Sequence, residues 1–146
     1  MFLTTRGRYA VSAIIDIVTN SNLTGKTNTP ISLSQISQRQ GISISYLEQI
    51  FLLLKKHNIV KSVKGPGGGY ILAKTPIEIT LSEILFASGE KVKMTKCHDE
   101  NGCFGTKEKC VTHHIWQAFE EKIENYLTSI TLEELTKLGN NSLEKK

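Results

Sequence analysis

Four glycines and a proline crowd into residues 65–69 (GPGGG), and no regular helix passes through such a run. β-branched and apolar residues flank it: Ile59, Val60 and Val63 before, Tyr70, Ile71 and Leu72 after. The segment therefore reads as a β-hairpin with residues 64–69 as its turn. A glycine-rich turn beside a lysine, here Lys64, can lie close along a phosphate backbone because no side chain holds it away. It is not a nucleotide phosphate loop, since it lacks the G-x-x-x-x-G-K-[ST] pattern and leads into a strand rather than a helix.

Helical periodicity fills the chain ahead of the hairpin. From Thr5 to Asn20 apolar residues recur at Tyr9, Ala10, Ala13, Ile14, Ile17 and Val18, one buried stripe. Residues 20–30, rich in Ser, Asn, Thr and Gly, read as a loop. A short helix over residues 33–40 follows, with Ser32 and Gln35 spaced as a capping box, and Gly41 breaks it. A third helix, starting near Ser43 or Ser45 and reaching His57, buries Leu47, Ile50, Phe51 and Leu54. Two helices joined by a short glycine turn make a helix-turn-helix, and the hairpin after it is a wing.

Charge singles out the same half. Residues 1–70 hold eight Lys or Arg against two acids, a balance of +6, whereas residues 71–146 hold ten against twelve, a balance of −2. The N-terminal half is thus the one suited to a polyanion such as double-stranded DNA.

The second half carries different chemistry. Its three cysteines, the whole complement of the chain, lie with His113 in one stretch: Cys97, Cys103, Cys110 and His113. Thiolates crowded into one loop repel unless a cation or cluster neutralises them, so these four are the expected metal ligands. Structural zinc sites usually pair ligands two to four residues apart. Here five residues separate Cys97 from Cys103 and six separate Cys103 from Cys110, an open spacing that suits a 2Fe-2S cluster, with zinc as the alternative. The C-x-x-H step places His113 one helical turn from Cys110, although His114 and His98 are neighbours. An odd cysteine count, with neither a signal peptide nor a long apolar span at the N-terminus, points to a reducing cytoplasm, no membrane and no disulfide framework.

Thr80 and Glu83 frame a capping box for a short helix through Ala87. After His113, Trp116, Phe119, Ile123, Tyr126 and Ile130 alternate steps of three and four, the seam of a helix that packs on another. In so small a chain a second subunit is the natural partner, and packing within the subunit is the competing reading. Thr131 and Glu134 open a last short helix, and residues 139–146 read as a disordered tail. The fold class expected is mainly α with a small β-hairpin wing. A winged helix-turn-helix domain (1–88) precedes a cluster-binding loop (89–113), and a dimerisation helix with a short C-terminal helix (114–138) follows.

LTTRGRYAVSAIIDI, ISQRQGISISYLEQIF, VKGPGGGYIL, the Cys97/Cys103/Cys110/His113 set and ITLEEL together resemble the IscR-type family of winged-helix transcription factors across nearly the whole chain. The resemblance implies a homodimer that binds palindromic DNA and regulates, as a repressor, genes of iron-sulfur cluster assembly. It further implies a 2Fe-2S cluster on those four residues as the signal, with iron-sulfur assembly or transfer proteins as partners. Six residues stand between the second and third cysteines where the family pattern has five, and Lys64 stands where an arginine is expected.

Spacing and resemblance together place Ser43, Ser45, Tyr46, Glu48 and Gln49 at the groove, with Lys64 and the amides of Gly67, Gly68 and Gly69 on phosphates. Glu48 has two possible roles, accepting from a cytosine amine or closing a capping box with Ser45. No cofactor motif or acid–base pair marks an enzyme, which leaves an electron-transfer protein as the more distant reading.

Overall fold

The computed structural model describes residues 3–21, 28–93 and 108–144. They form α1 (Thr5–Ser21), α2 (Leu33–Gln40), α3 (Ile44–Lys56), β1 (Val60–Val63), β2 (Gly69–Leu72), α4 (Leu81–Ala87), α5 (His113–Ser129) and α6 (Leu132–Glu144). The architecture is mainly α with one two-stranded antiparallel hairpin, as the sequence predicts.

The stripe on α1 supplies the centre of the core. Ala10, Ala13, Ile14 and Ile17 are essentially inaccessible and pack with Ile36 of α2, with Leu47, Ile50, Phe51 and Leu54 of α3, and with Ile84 of α4. Small residues at positions 10 and 13 let the helices approach closely while the isoleucines fill the space between them. A carboxylate sits against this core. Asp16, 3% exposed, accepts from Arg39 Nε and Nη2 at 3.0 and 2.7 Å and from Gln40 Nε2 at 2.8 Å. These bonds tie α1 to the end of α2 and compensate a carboxylate that would otherwise be costly to bury. The bond to Asp16 raises the Arg39 pKa further above its already high value.

The helix-turn-helix follows from its caps. Ser32 and Gln35 close the anticipated capping box, and Gly41 ends α2 with φ 69°, a left-handed conformation that glycine adopts without a Cβ penalty. Ser43, not Ser45, caps α3: its hydroxyl accepts from the Tyr46 amide at 3.3 Å. The residue at the third helical position is then Tyr46, so the capping role for Glu48 is overturned. Ser45 and Glu48 both lie inside the helix.

The wing pairs Val60 with Leu72, Lys61 with Ile71, Ser62 with Tyr70 and Val63 with Gly69. Ile31, between the loop read over residues 20–30 and the cap of α2, adds a bridge on the far side of β2. Its N–H donates to the Tyr70 carbonyl at 3.0 Å and its carbonyl accepts from the Tyr70 N–H at 2.8 Å. A lone bridge residue has no alternation to betray it. The Tyr70 ring then packs on Phe51 with centroids 4.7 Å apart, fixing the hairpin against α3.

The C-terminal elements grow from the same core. Leu132 is fully buried in it, and the Leu132 N–H donates to the Ile79 carbonyl at 2.8 Å while the Leu81 N–H donates to Ile130 at 2.9 Å. The starts of α4 and α6 are thereby stapled together, each with its predicted Thr–Glu cap. The last helix is not short. It runs through Gly139 to Glu144, beyond the point where the disordered tail was expected. Once a capped first turn is anchored, each further residue adds one hydrogen bond, and a single glycine costs only about 1 kcal/mol.

Burial raises the Glu83 carboxyl pKa, but bonds from the Thr80 N–H and from Lys74 at 3.1 Å outweigh it and leave a net lowering. A carboxylate held below its unfolded value of about 4.3 stabilises the fold above that pH, and the contribution disappears as pH falls through the lower, folded value. Glu83→Gln is therefore expected to flatten the acid limb of a thermal-stability profile between neutrality and pH 3. Thr80→Ala should lower stability by about 1 kcal/mol at pH 7. Unchanged melting temperatures in both variants would show that the Thr80–Glu83 cap contributes nothing.

Candidate nucleic-acid interface and ligand residues

One face of α3 turns to solvent. Ser45, Glu48, Gln49, Leu52, Lys55 and Lys56 are exposed, opposite the buried Leu47, Ile50, Phe51 and Leu54. Ser43 is exposed at the helix start but its hydroxyl is engaged as the cap. Tyr46 departs from expectation. It is half-buried, with its ring edge-on to Tyr9 of α1 at 5.8 Å, so it serves the α1–α3 contact more than the outer face. Spacing and resemblance both put it with Ser45 and Gln49, and the distant Tyr9 gives no sequence signal. Leu52, 69% exposed, was missed on the outer face, although its exclusion from the 47/50/51/54 stripe is legible.

The wing stands beside this face. Lys55 Nζ donates to Ser62 Oγ of β1 at 3.0 Å, and Lys61 and Lys64 are exposed along the strand and its turn. Gly68 is conformationally necessary, because a Cβ there would collide with the Val63 carbonyl. Its N–H donates to the Gly65 carbonyl at 2.9 Å, so this amide belongs to the turn and is not available to a phosphate. Gly69 is paired with Val63 in the ladder and packs on Ile31, where a Cβ would strike the carbonyl. Of the three glycines, Gly67 is left at the exposed tip, φ 74°.

Of the four expected metal ligands, Cys97 and Cys103 lie outside the described residues, as does His98. The other two meet at the start of α5. Cys110 is half-buried and its carbonyl accepts from the His113 N–H at 3.1 Å. His113 is 6% exposed, whereas the adjacent His114 is exposed, with the two rings edge-on at 5.6 Å. Thr112, before the first turn, makes no side-chain cap. Its hydroxyl instead lies 3.5 Å from Cys110 Sγ. Among the described residues no three His, Cys, Asp or Glu side chains converge as a metal-binding group. The two that are described do fit a thiolate-and-imidazole set: they are one turn apart, shielded, and at the positive end of a helix, which favours an anionic sulfur.

Along α5 the expected seam divides. His113 and Glu120 are buried and Ile123 and Leu127 half-buried toward the rest of the subunit, where Ile123 and Leu127 join Leu3, Val11, Leu81, Leu85 and Leu135 around an apolar cleft of about 310 Å³. Phe119 (49% exposed) and Tyr126 (65%) point away with Ile115, whereas Trp116 (37%) stands four and seven residues before Glu120 and Ile123 and so lies on their side of the helix, at its edge. Ile123 thus borders the subunit's own packing with Trp116 at the edge of the same side, while Phe119 and Tyr126 with Ile115 form an outward apolar face.

A helix-turn-helix whose second helix presents a polar face beside a lysine-lined hairpin defines a winged-helix DNA-binding regulator. Residues 3–138 match the Rrf2 family, described as an iron-dependent transcriptional regulator. The chain belongs to the Rrf2 family, in its IscR type. It is 47% identical over 135 residues to the HTH-type transcriptional regulator IscR of Photorhabdus laumondii subsp. laumondii, covering 92% of this chain and 79% of that protein. Among solved structures it is similar to T. potens IscR, with TM-score 0.75 and 32% identity over 97% of this chain and 90% of the other. It is also similar to CymR (YrzC), the global cysteine regulator of B. subtilis, with TM-score 0.76 and 26% identity over 94% of this chain and 98% of the other. By this family membership the chain is a transcriptional regulator and not an enzyme. No helix among the described residues is long and apolar enough to cross a membrane.

Proposed function

We propose that the protein is a cytoplasmic, homodimeric repressor of iron-sulfur cluster assembly genes. In this reading it senses a 2Fe-2S cluster held by Cys97, Cys103, Cys110 and His113, delivered by assembly or transfer proteins. The observation that carries it is the pairing of a half-buried Cys110 with a buried His113 on the first turn of the helix that bears the outward aromatic face. A group bound there supplies positive charge that holds the thiolates together. What this chain's own residues do is couple positions: Cys110 and His113 fix the start of α5, and Trp116, Phe119 and Tyr126 follow on the same helix. A change at the ligands therefore reaches the dimer face within two turns, and half-site spacing on palindromic DNA depends on that face. The ultraviolet–visible spectrum of anaerobically purified protein, with iron, sulfide and zinc analysis, tests the assignment. Charge-transfer bands with matched iron and sulfide support it; colourless, zinc-loaded protein overturns it.

On the DNA side, Ser45, Glu48 and Gln49 read bases while Lys64 and the Gly67 tip position the wing on phosphates. With its capping role removed, Glu48→Ala is expected to change stability by less than about 0.5 kcal/mol and to alter which sequences are selected from a random pool. Lys64→Ala should weaken all sequences alike and make the salt dependence shallower by about one unit per lost contact in each subunit. Identical selected sequences for wild type and Glu48→Ala would exclude Glu48 as a reader.

A further inference from the structure

Leu52 is 69% exposed on a face whose other members are polar or charged. Exposure alone carries nothing, because single surface leucines are ordinary. Position does. Leu52 lies one helical turn beyond Glu48, three residues beyond Gln49 and two turns beyond Ser45, so all four side chains project from the same side of α3. The next turn carries Lys55 and Lys56, and Lys61 and Lys64 stand on the adjoining hairpin. A large apolar group in the middle of a basic surface is poorly placed to meet another protein's apolar patch and well placed to enter a groove whose rims are phosphates.

In the major groove the one apolar group that bases present is the C5 methyl of thymine. We infer that Leu52 is a specificity residue that selects thymine through this methyl, on the base steps next to those reached by Glu48 and Gln49. The inference rests on the reading of α3 as the groove-facing helix and deepens it. Glu48 and Leu52 divide the labour: a carboxylate accepts a hydrogen bond and rewards a cytosine amine, whereas an isobutyl group accepts nothing and rewards only contact and dehydration. A turn of helix advances about 5.4 Å against about 3.4 Å per base step, which puts the two side chains one or two base pairs apart.

The test uses the full chain and removes the methyl without changing any hydrogen bond. Sequences are first selected from a random duplex pool by wild type and by Leu52→Ala, and each thymine of the wild-type site is then replaced singly by deoxyuridine. For wild type, one position per half-site is expected to lose about three- to fourfold in affinity, the worth of one buried methyl. Leu52→Ala should be indifferent at that position and should select it less strictly. Since the side chain is mostly exposed, the variant should fold as wild type does, and its melting temperature checks this. A wild type that selects a defined site but ignores every deoxyuridine overturns the role of Leu52 alone, as does a variant that keeps the full methyl effect. A wild type that enriches no sequence overturns the groove-facing reading of α3 along with it.

Discussion

Replacing any one of Cys97, Cys103 or Cys110 with Ala is expected to abolish the visible absorbance of anaerobically purified protein while leaving the fold in place. The reason is an asymmetry between site and core. Cluster ligation is collective, because loss of one thiolate leaves an iron with an open position and removes the geometric closure that protects the rest. The apolar core, by contrast, is built among the described residues from α1 to α4, Ile31, Ile42, Ile59, the start of β1, Ile79 and Leu132, and contains neither Cys110 nor His113. Far-ultraviolet circular dichroism and the melting transition should therefore stay close to wild type. Among histidines, His113→Ala should impair iron retention far more than His114→Ala, since His113 is buried, with its N–H on the Cys110 carbonyl, and His114 is exposed. Stoichiometric iron and sulfide in any cysteine variant would sink the ligand assignment, and equal effects at the two histidines would transfer the fourth ligand elsewhere.

What could be read from sequence divides along a physical line. Local signals were reliable: the stripe on α1, the Ser32–Gln35 and Thr80–Glu83 caps, the Gly41 break and the glycine turn each depend on residues within a few positions of one another. Features depending on residues far apart in the chain were not legible. Asp16 was visible only as a charge, and nothing near it foretold Arg39 and Gln40 as partners twenty-three and twenty-four positions away. Helical spacing and the resemblance both assign Tyr46 outward, yet Tyr9 draws its ring to α1. The Ser45–Glu48 pair shows the limit of motif matching, because two serines compete for the cap. Ser43 wins by standing directly after the Gly41–Ile42 turn, with Ile42 buried behind it. At the ligand site the residue types and the C-x-x-H step located Cys110 and His113 together, whereas only the folded helix distinguishes a shielded His113 from an exposed His114.

Phe119→Asp is expected to convert a dimer into monomers without unfolding the subunit. In the isolated subunit Phe119 is 49% exposed, so a carboxylate at this position stays hydrated and costs the monomer little. The side facing inward is carried by other residues, His113, Glu120, Ile123 and Leu127, and is untouched by the change. Pairing two copies through Trp116, Phe119 and Tyr126 would bring the new charge against its own copy across a twofold axis, and the exposed Lys122 three residues on would have to give up its own hydration to meet it. Burying an unpaired charge costs about 3 kcal/mol or more, equivalent to a loss of more than a hundredfold in dimer affinity. Sedimentation at micromolar concentration should show monomers with a native circular dichroism spectrum. Affinity for palindromic sites should fall toward that of a single half-site. Phe119→Leu, which keeps an apolar contact, should remain dimeric. A dimer of unchanged affinity in Phe119→Asp would remove this face from the assembly, and with it the proposed route from Cys110 and His113 to the DNA.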